Sequence, residues 1–247
     1  MLEVHDAVIR FGGVAAVDGA SLTAPPGSIT GLIGPNGAGK TTLFNLVAGA
    51  LRPLAGEIRF EGRSLTGMPA ASRLAFGLAR TFQIPRPFPE LSVLENLMVA
   101  GPHGGLLAAL APARTRAREL AARVRAEEIL ARLDLAALMG EPARVLSGGQ
   151  RKLLELGRVL MARPRMILLD EPAAGVSPVL LETIGRILAQ LRDEGIGLLM
   201  VEHNMAFVTG LCDRVYAMES GRVIAEGSPR AVLADTRVAE SYLGAAV

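Results

Sequence analysis

The run Gly34-Pro35-Asn36-Gly37-Ala38-Gly39-Lys40-Thr41 sets glycines, a lysine and a hydroxyl at the spacing G-x-x-x-x-G-K-[ST], and that spacing suits phosphate. Glycines at 34, 37 and 39 let the backbone turn tightly with no side chains in the way, so successive N–H groups can converge on anionic oxygens. Lys40 can reach the terminal phosphates of a nucleotide, and the Thr41 hydroxyl is placed to hold Mg²⁺. The flanks fit this chemistry. Ser28-Ile29-Thr30-Gly31-Leu32-Ile33 predicts a buried strand, and Thr42-Leu43-Phe44-Asn45-Leu46-Val47-Ala48-Gly49 a helix whose positive end faces the same anion. Gly34 through Thr42 is therefore the candidate segment for gripping a nucleoside triphosphate.

A second constellation supplies acids. Met166-Ile167-Leu168-Leu169 ends in Asp170 and Glu171, which places two carboxylates at the carboxyl end of a buried strand, where ligands of open α/β sheets bind. Adjacent residues on a strand point to opposite sides, so the two need not share a role. Asp170 is expected to support the Mg²⁺ shell and Glu171 to activate an attacking water. Between the two constellations lies Leu146-Ser147-Gly148-Gly149-Gln150, a helix start with a serine cap and free glycine N–H groups. Beyond them, His203 follows the apolar run Leu198-Leu199-Met200-Val201-Glu202.

The elements that must position these groups follow from texture. Strand candidates at Leu2–Ile9, Ser21–Ala24, Ser28–Ile33 and Gly56–Phe60 surround the phosphate loop. After Gln83, the segment Ile84-Pro85-Arg86-Pro87-Phe88-Pro89 is a connector that no interior strand or helix tolerates. Helix formers dominate from Val93 to Met139, interrupted at Gly101-Pro102-His103-Gly104-Gly105 and at Ala111-Pro112. A strand at 166–169, a helix over Pro178–Arg192 and a strand over Gly197–Val201 resume the α/β alternation, implying a largely parallel sheet covered on both faces.

Composition bounds the rest. With 247 residues, half of them hydrophobic, the chain can bury a sizeable core as one α/β unit with a subdomain. A net charge of +2 is far from the basic stripe of a nucleic-acid binder, so no nucleic-acid partner is expected. Arg114-Thr115-Arg116-Ala117-Arg118 opens an Ala/Arg/Glu-rich helix and reads as a solvated face, with anionic lipid or a partner as the other reading. Cys212 is the single cysteine, which suits a reducing compartment. Neither a secretory signal nor an apolar run of membrane-spanning length is visible, so any tie to a membrane is expected to come through a partner.

Taken together, GPNGAGKT, Gln83, LSGGQ, MILLDEP and His203, in this order and at these spacings, resemble the nucleotide-binding subunit of ABC transporters. The resemblance implies a P-loop NTPase core, RecA-like with a mostly parallel sheet, carrying an N-terminal antiparallel β subdomain and an inserted all-helical subdomain. It implies a single ATPase domain over 1–247, with the helical part at about 90–163 set between 1–89 and 164–247. It also implies ATP and Mg²⁺ as cofactors and two subunits meeting head to tail. In that arrangement Ser147, Gly148 and Gly149 serve an ATP held by the opposite subunit. By the same likeness Gln83 contacts Mg²⁺ and the water, His203 bonds the γ-phosphate, Glu171 is the catalytic carboxylate and Phe11 stacks on adenine. For Phe11, a place in the core is the rival reading.

Ser177 departs from the family pattern, which has an aspartate in the loop crossing the dimer interface. A neutral hydroxyl there makes pairing with a non-identical partner more credible. Peripheral stretches narrow the likeness further. Ala79-Arg80-Thr81-Phe82-Gln83, Val93-Leu94-Glu95-Asn96-Leu97, Val201-Glu202-His203-Asn204-Met205 and the tail Arg237-Val238-Ala239-Glu240-Ser241-Tyr242-Leu243-Gly244 are similar to the ATP-binding subunit of bacterial branched-chain amino-acid importers. That implies transmembrane permease partners, a second ATPase subunit, only indirect contact with a periplasmic binding protein, and a place at the cytoplasmic face of the inner membrane. The ATPase of a lipopolysaccharide exporter and a soluble, non-transport ABC ATPase are the alternatives.

Overall fold

The computed structural model describes residues 1–81, 87–101 and 112–244. Along the chain run β1 (Leu2–Phe11), β2 (Val14–Ala24), β3 (Ile29–Ile33), α1 (Lys40–Ala48), β4 (Ala55–Phe60), β5 (Arg63–Ser64), α2 (Ala70–Ala75) and β6 (Leu78–Arg80). Helices α3 (Val93–Ala100), α4 (Pro112–Arg132) and α5 (Gly148–Met161) follow. The α/β pattern then resumes with β7 (Met166–Asp170), α6 (Pro178–Asp193), β8 (Gly197–Val201), α7 (Met205–Leu211), β9 (Arg214–Glu219), β10 (Arg222–Gly227), α8 (Pro229–Leu233) and α9 (Thr236–Gly244). The chain divides into two compact units, one of Met1–Arg80, Arg165–Ala174 and Leu188–Val247, the other of Thr81–Pro164 and Gly175–Ile187.

Both sheets belong to the first unit. One is antiparallel, in the order β2-β1-β4-β5; the other runs β10-β9-β3-β8-β7-β6, parallel throughout except for the β9–β10 hairpin. This is the α/β architecture expected, with its antiparallel N-terminal sheet. Every residue of β3, β7 and β8 is buried, as unbroken apolar runs in a doubly covered parallel sheet should be. In β1 the inward set is Leu2 and Val4, then Ala7 and Ile9. The register slips between Val4 and Ala7, where Asp6 takes a φ of 46°, and this bulge keeps the apolar face turned inward across the change of phase.

One continuous core joins both sheets to α1, whose Leu43, Phe44, Leu46 and Val47 are fully buried beside Leu2 and Val4 of β1 and Leu32, Leu168 and Leu199 of the parallel sheet. A helix so enclosed has no solvent to satisfy its last carbonyls, and α1 carries no basic residue in its last turn. Arg73 of α2 fills that need. Only 1 % exposed, it donates to Leu46 O (2.9 Å) and Val47 O at the end of α1, and to Leu65 O (2.8 Å) and Met68 O (2.9 Å). Its charge also sits at the negative end of the helix dipole. Burial pushes its pKa down to about 10, so the guanidinium stays charged at neutral pH.

In the second unit α3, α4 and α5 pack on one another through Val93, Leu97, Ala126, Leu130, Leu133, Leu153 and Leu160. Gly157 of α5 admits the close approach: a Cβ there would lie 2.8 Å from Leu133 Cδ1. The N-terminus of α3 is fixed by a capping box between Ser92 and Glu95. Asn96, fully buried, accepts from Phe88 N at 2.8 Å and donates to the carbonyls of Phe88, Leu91 and Ser92, tying residues 88–92 to the helix.

Arg73→Met keeps the bulk but strips four carbonyls of a charged donor. Unfolding in urea should show stability lowered by about 2–4 kcal/mol, with an unchanged m-value; a midpoint equal to that of the parent would show that the guanidinium does not hold α1.

Candidate phosphate-binding site

The chain leaves β3 after Ile33, which pairs with Ala217, and enters the loop at Gly34 with φ 144°. Gly37 and Gly39 follow at φ 80° and 96°. A Cβ at Gly34 would lie 2.2 Å from Met218 O, and one at Gly39 equally close to Ala16 O. At Gly37 there is open space among the described residues, and only its φ asks for glycine. The loop is held from behind by Gly221, whose N–H donates to Ala38 O at 3.0 Å while its carbonyl accepts from Asp18 N at 2.9 Å.

Helix α1 starts at Lys40 with Gly39 as its N-cap, without a side-chain cap and without an acid in its first turn. Among the described residues no side chain caps its first amides and no acid in its first turn offsets the positive end of its dipole, the arrangement that favours an external anion. Lys40 folds back over the loop and donates to Gly34 O and Pro35 O, each at 2.7 Å. Burial pushes its pKa down, and the Glu171 carboxylate pulls it part of the way back up. Asn36 and Thr41 are exposed, Pro35 and Thr42 half-buried, and Ala38 buried.

The same unit brings the two acids and the histidine to this end of the sheet. Asp170, the last residue of β7, is buried, and its Oδ2 accepts from Arg80 at 2.8 Å. Arg80 also donates to Asn45 Oδ1 of α1 at 2.6 Å and lies 4.8 Å from the centre of the Phe44 ring. Glu171 diverges from Asp170 not through strand alternation alone but because it takes a left-handed φ of 48°, its N–H donating to Val201 O at 3.0 Å. Its Oε1 stands 3.3 Å from His203 Nε2.

Two positioning groups escaped the sequence reading. Arg80 sits at the end of a three-residue strand too short to register as a period. Glu202, only 2 % exposed, accepts from Ala173 N at 2.6 Å through one carboxylate oxygen and from His203 N at 3.0 Å and Asn204 N at 3.2 Å through the other. It thereby staples the turn after Glu171 to the segment carrying His203. The signal was present: an acid directly after a buried apolar strand, as at Asp170.

Of the remaining candidates, Phe11 belongs to the first unit and Ser147, Gly148, Gly149 and Ser177 to the second. Phe11 ends β1 with 51 % exposure, so it is not a core ring. Its hairpin returns as β2, which carries the Ala16 that packs on Gly39. In the second unit Ser147 caps α5, its Oγ accepting from Gln150 N at 3.2 Å while Gln150 Oε1 accepts from Ser147 N at 2.9 Å. Gly149 packs on Leu180, whereas Gly148 has neither a positive φ nor a described atom within 4 Å of where a Cβ would sit. Ser177 is exposed just before α6. Gln83, residues 84–86 of the connector and the 102–105 stretch lie outside the described residues.

The comparisons with known proteins converge. A family model described as ABC transporter matches residues 17–174, and one described as branched-chain amino acid ATP-binding cassette transporter matches 222–247. A probable branched-chain amino acid transport ATP-binding protein LivG of Methanocaldococcus jannaschii is 39% identical, over 99% of this chain and 97% of its own. The high-affinity branched-chain amino acid transport ATP-binding protein BraF of Pseudomonas aeruginosa is 37% identical, over 100% of this chain and 98% of its own. The crystal structure of a nucleotide-free ATP-binding cassette from an ABC transporter superposes with a TM-score of 0.86 at 38% identity, covering 98% of each chain. An ADP conformation of such a cassette gives 0.86 at 37%, covering 99% of this chain and 98% of the other. No helix among the described residues is long and apolar enough to cross a membrane. The chain belongs to the ABC transporter family, as an ATP-binding cassette and an ATPase.

Proposed function

We propose that this chain is the ATP-hydrolysing subunit of an importer for branched-chain amino acids or related amides, acting at the cytoplasmic face of the inner membrane beside permease subunits. The observation that carries the ATP site is the uncapped start of α1 behind three glycines of positive φ, with Lys40 above it and the Glu171–His203 pair at the same sheet end. The substrate class is supported by the relatives' names and by the C-terminal family match, since no residue of this subunit is expected to touch the transported molecule.

The donors fit Mg²⁺. Thr41 offers an exposed hydroxyl, and Asp170 keeps Oδ1 beside the oxygen that Arg80 holds. No cluster among the described residues has three His, Cys, Asp or Glu groups that could hold a metal by protein donors alone, which suits an ion that shares its shell with phosphates and water. Thr41 and Asp170, with Gln83, would hold it, and when bound it neutralises charge on the phosphates. The loop amides and Lys40 bind and orient the triphosphate, Phe11 stacks on the base, Glu171 orients a water and takes its proton, and His203 holds a γ-phosphate oxygen.

The second half of each site comes from another subunit. Gly148 is a glycine for which its own unit gives no reason, in φ or in packing, so an outside group approaching Ser147 and Gly148 explains it. That group is the γ-phosphate of an ATP held by a partner in a head-to-tail pair. Neutral Ser177 in the adjoining exposed turn favours a homologous, non-identical mate.

Glu171→Gln should keep ATP affinity within about threefold, cut turnover by at least ~100-fold and hold the pair closed, seen as an ATP-dependent dimer by light scattering. Near-normal hydrolysis would remove Glu171 as the base. Gly39→Ala should weaken nucleotide binding by at least ~50-fold by calorimetry, because the loop cannot close past Ala16. Reconstituted with its permeases, the parent should drive ATP-dependent leucine uptake into vesicles; movement of lipopolysaccharide instead would reassign the substrate.

A further inference from the structure

The C-terminal helix reaches the phosphate loop. Gly34 N, the first amide beyond the ladder of β3, donates to Tyr242 Oη at 2.8 Å across 208 positions of sequence. Gly34 cannot shift to find another acceptor easily, because Met218 O closes the space beside its Cα. Tyr242 is itself held in place: α9 packs on α8 and β10, Val238 and Ser241 are buried, and Ser241 Oγ donates to Val238 O at 2.7 Å. At the start of the helix, Asp235 pairs with Arg237 through two of its side-chain nitrogens. Burial pushes the phenol pKa up, so the group is neutral at pH 7 and its oxygen serves as an acceptor.

We propose that Tyr242 is a positioning residue of the phosphate loop, pinning the Gly34 peptide so that nucleotide affinity depends on the docking of α9. The proposal rests on the assignment of Gly34–Thr42 as the ATP-binding segment. Tyr242 touches no reacting atom, so its effect falls on binding and not on the chemical step. Linkage then requires the converse: nucleotide on the loop must favour the docked helix by the same factor.

Tyr242→Phe in the full-length chain removes one oxygen and leaves the ring. Loss of a single neutral hydrogen bond should weaken ADP binding and raise KM for ATP by about five- to tenfold, with kcat changed by less than about twofold. Hydrogen exchange gives the readout that a merely structural tyrosine would not move. In the parent, saturating ADP should slow exchange in 236–242, and in Tyr242→Phe that protection should shrink while the Gly34 amide exchanges faster. Parental KM and parental exchange in Tyr242→Phe, with Lys40→Ala abolishing ADP binding, would overturn the role of Tyr242 alone. Undiminished ADP binding in Lys40→Ala would overturn the loop assignment beneath it.

Discussion

Two contacts without room for a methyl group govern this molecule: Gly34 against Met218 O and Gly39 against Ala16 O. They press the phosphate loop between the end of β9 and the return strand of the N-terminal hairpin, and Gly221 bridges the two by bonding both Ala38 and Asp18. The loop's shape is thus imposed by backbone from two different sheets. Side-chain flexibility cannot relax such contacts, since both opposing groups are backbone: Met218 is paired with Val223, and Ala16 is held between the paired residues Ala15 and Val17. The antiparallel sheet therefore helps to shape the phosphate loop through Ala16.

Charge placement follows the same economy of movement. Asp170 is held by Arg80, which is itself fixed by Asn45 of α1 and the Phe44 ring, so the carboxylate and the helix that follows the phosphate loop share one anchor. Glu202 does the corresponding work on the other side, joining the turn after Glu171 to His203 through backbone amides. The first is an ion pair and the second a set of amide-to-carboxylate hydrogen bonds, both stronger than neutral equivalents and more exacting in direction. The candidate groups are mounted differently: Asp170 is held through its side chain by Arg80, whereas Glu171 and His203 are fixed through their backbone amides and face each other at 3.3 Å.

The candidate residues stood out in the sequence because their types are rare at those spacings: a glycine-rich turn before a helix, acids closing an apolar strand, a serine before two glycines. The central strands were legible as unbroken apolar runs. What stayed hidden was structure decided by partners distant in sequence. β2 extends back to Val14 through Ala15, Ala16 and Gly19, residues with little strand preference, because pairing with β1 overrides propensity. β6 has three residues and exists only as an edge beside β7. Arg73 and Tyr242 gave no signal at all, since nothing in local pattern says that a lone arginine will meet the end of α1 or that a tail tyrosine will meet Gly34. The segment 175–187 joins the second unit although the helix it begins runs unbroken to Asp193, and periodicity cannot mark a boundary inside one helix.

The arginine beneath α1 also bears on how the fold is acquired. Its five donors are shared among carbonyls from the last turn of α1 and from the Leu65–Met68 turn, segments that on their own would be short and marginal. The full set of donors is engaged only when α1 and the turn are both in place, which couples their formation. A lysine, with its compact ammonium, could not span the same set of acceptors. Partial order in this layer leaves carbonyls without their charged donor, so the helix that follows the phosphate loop and the Leu65–Met68 turn stabilise one another.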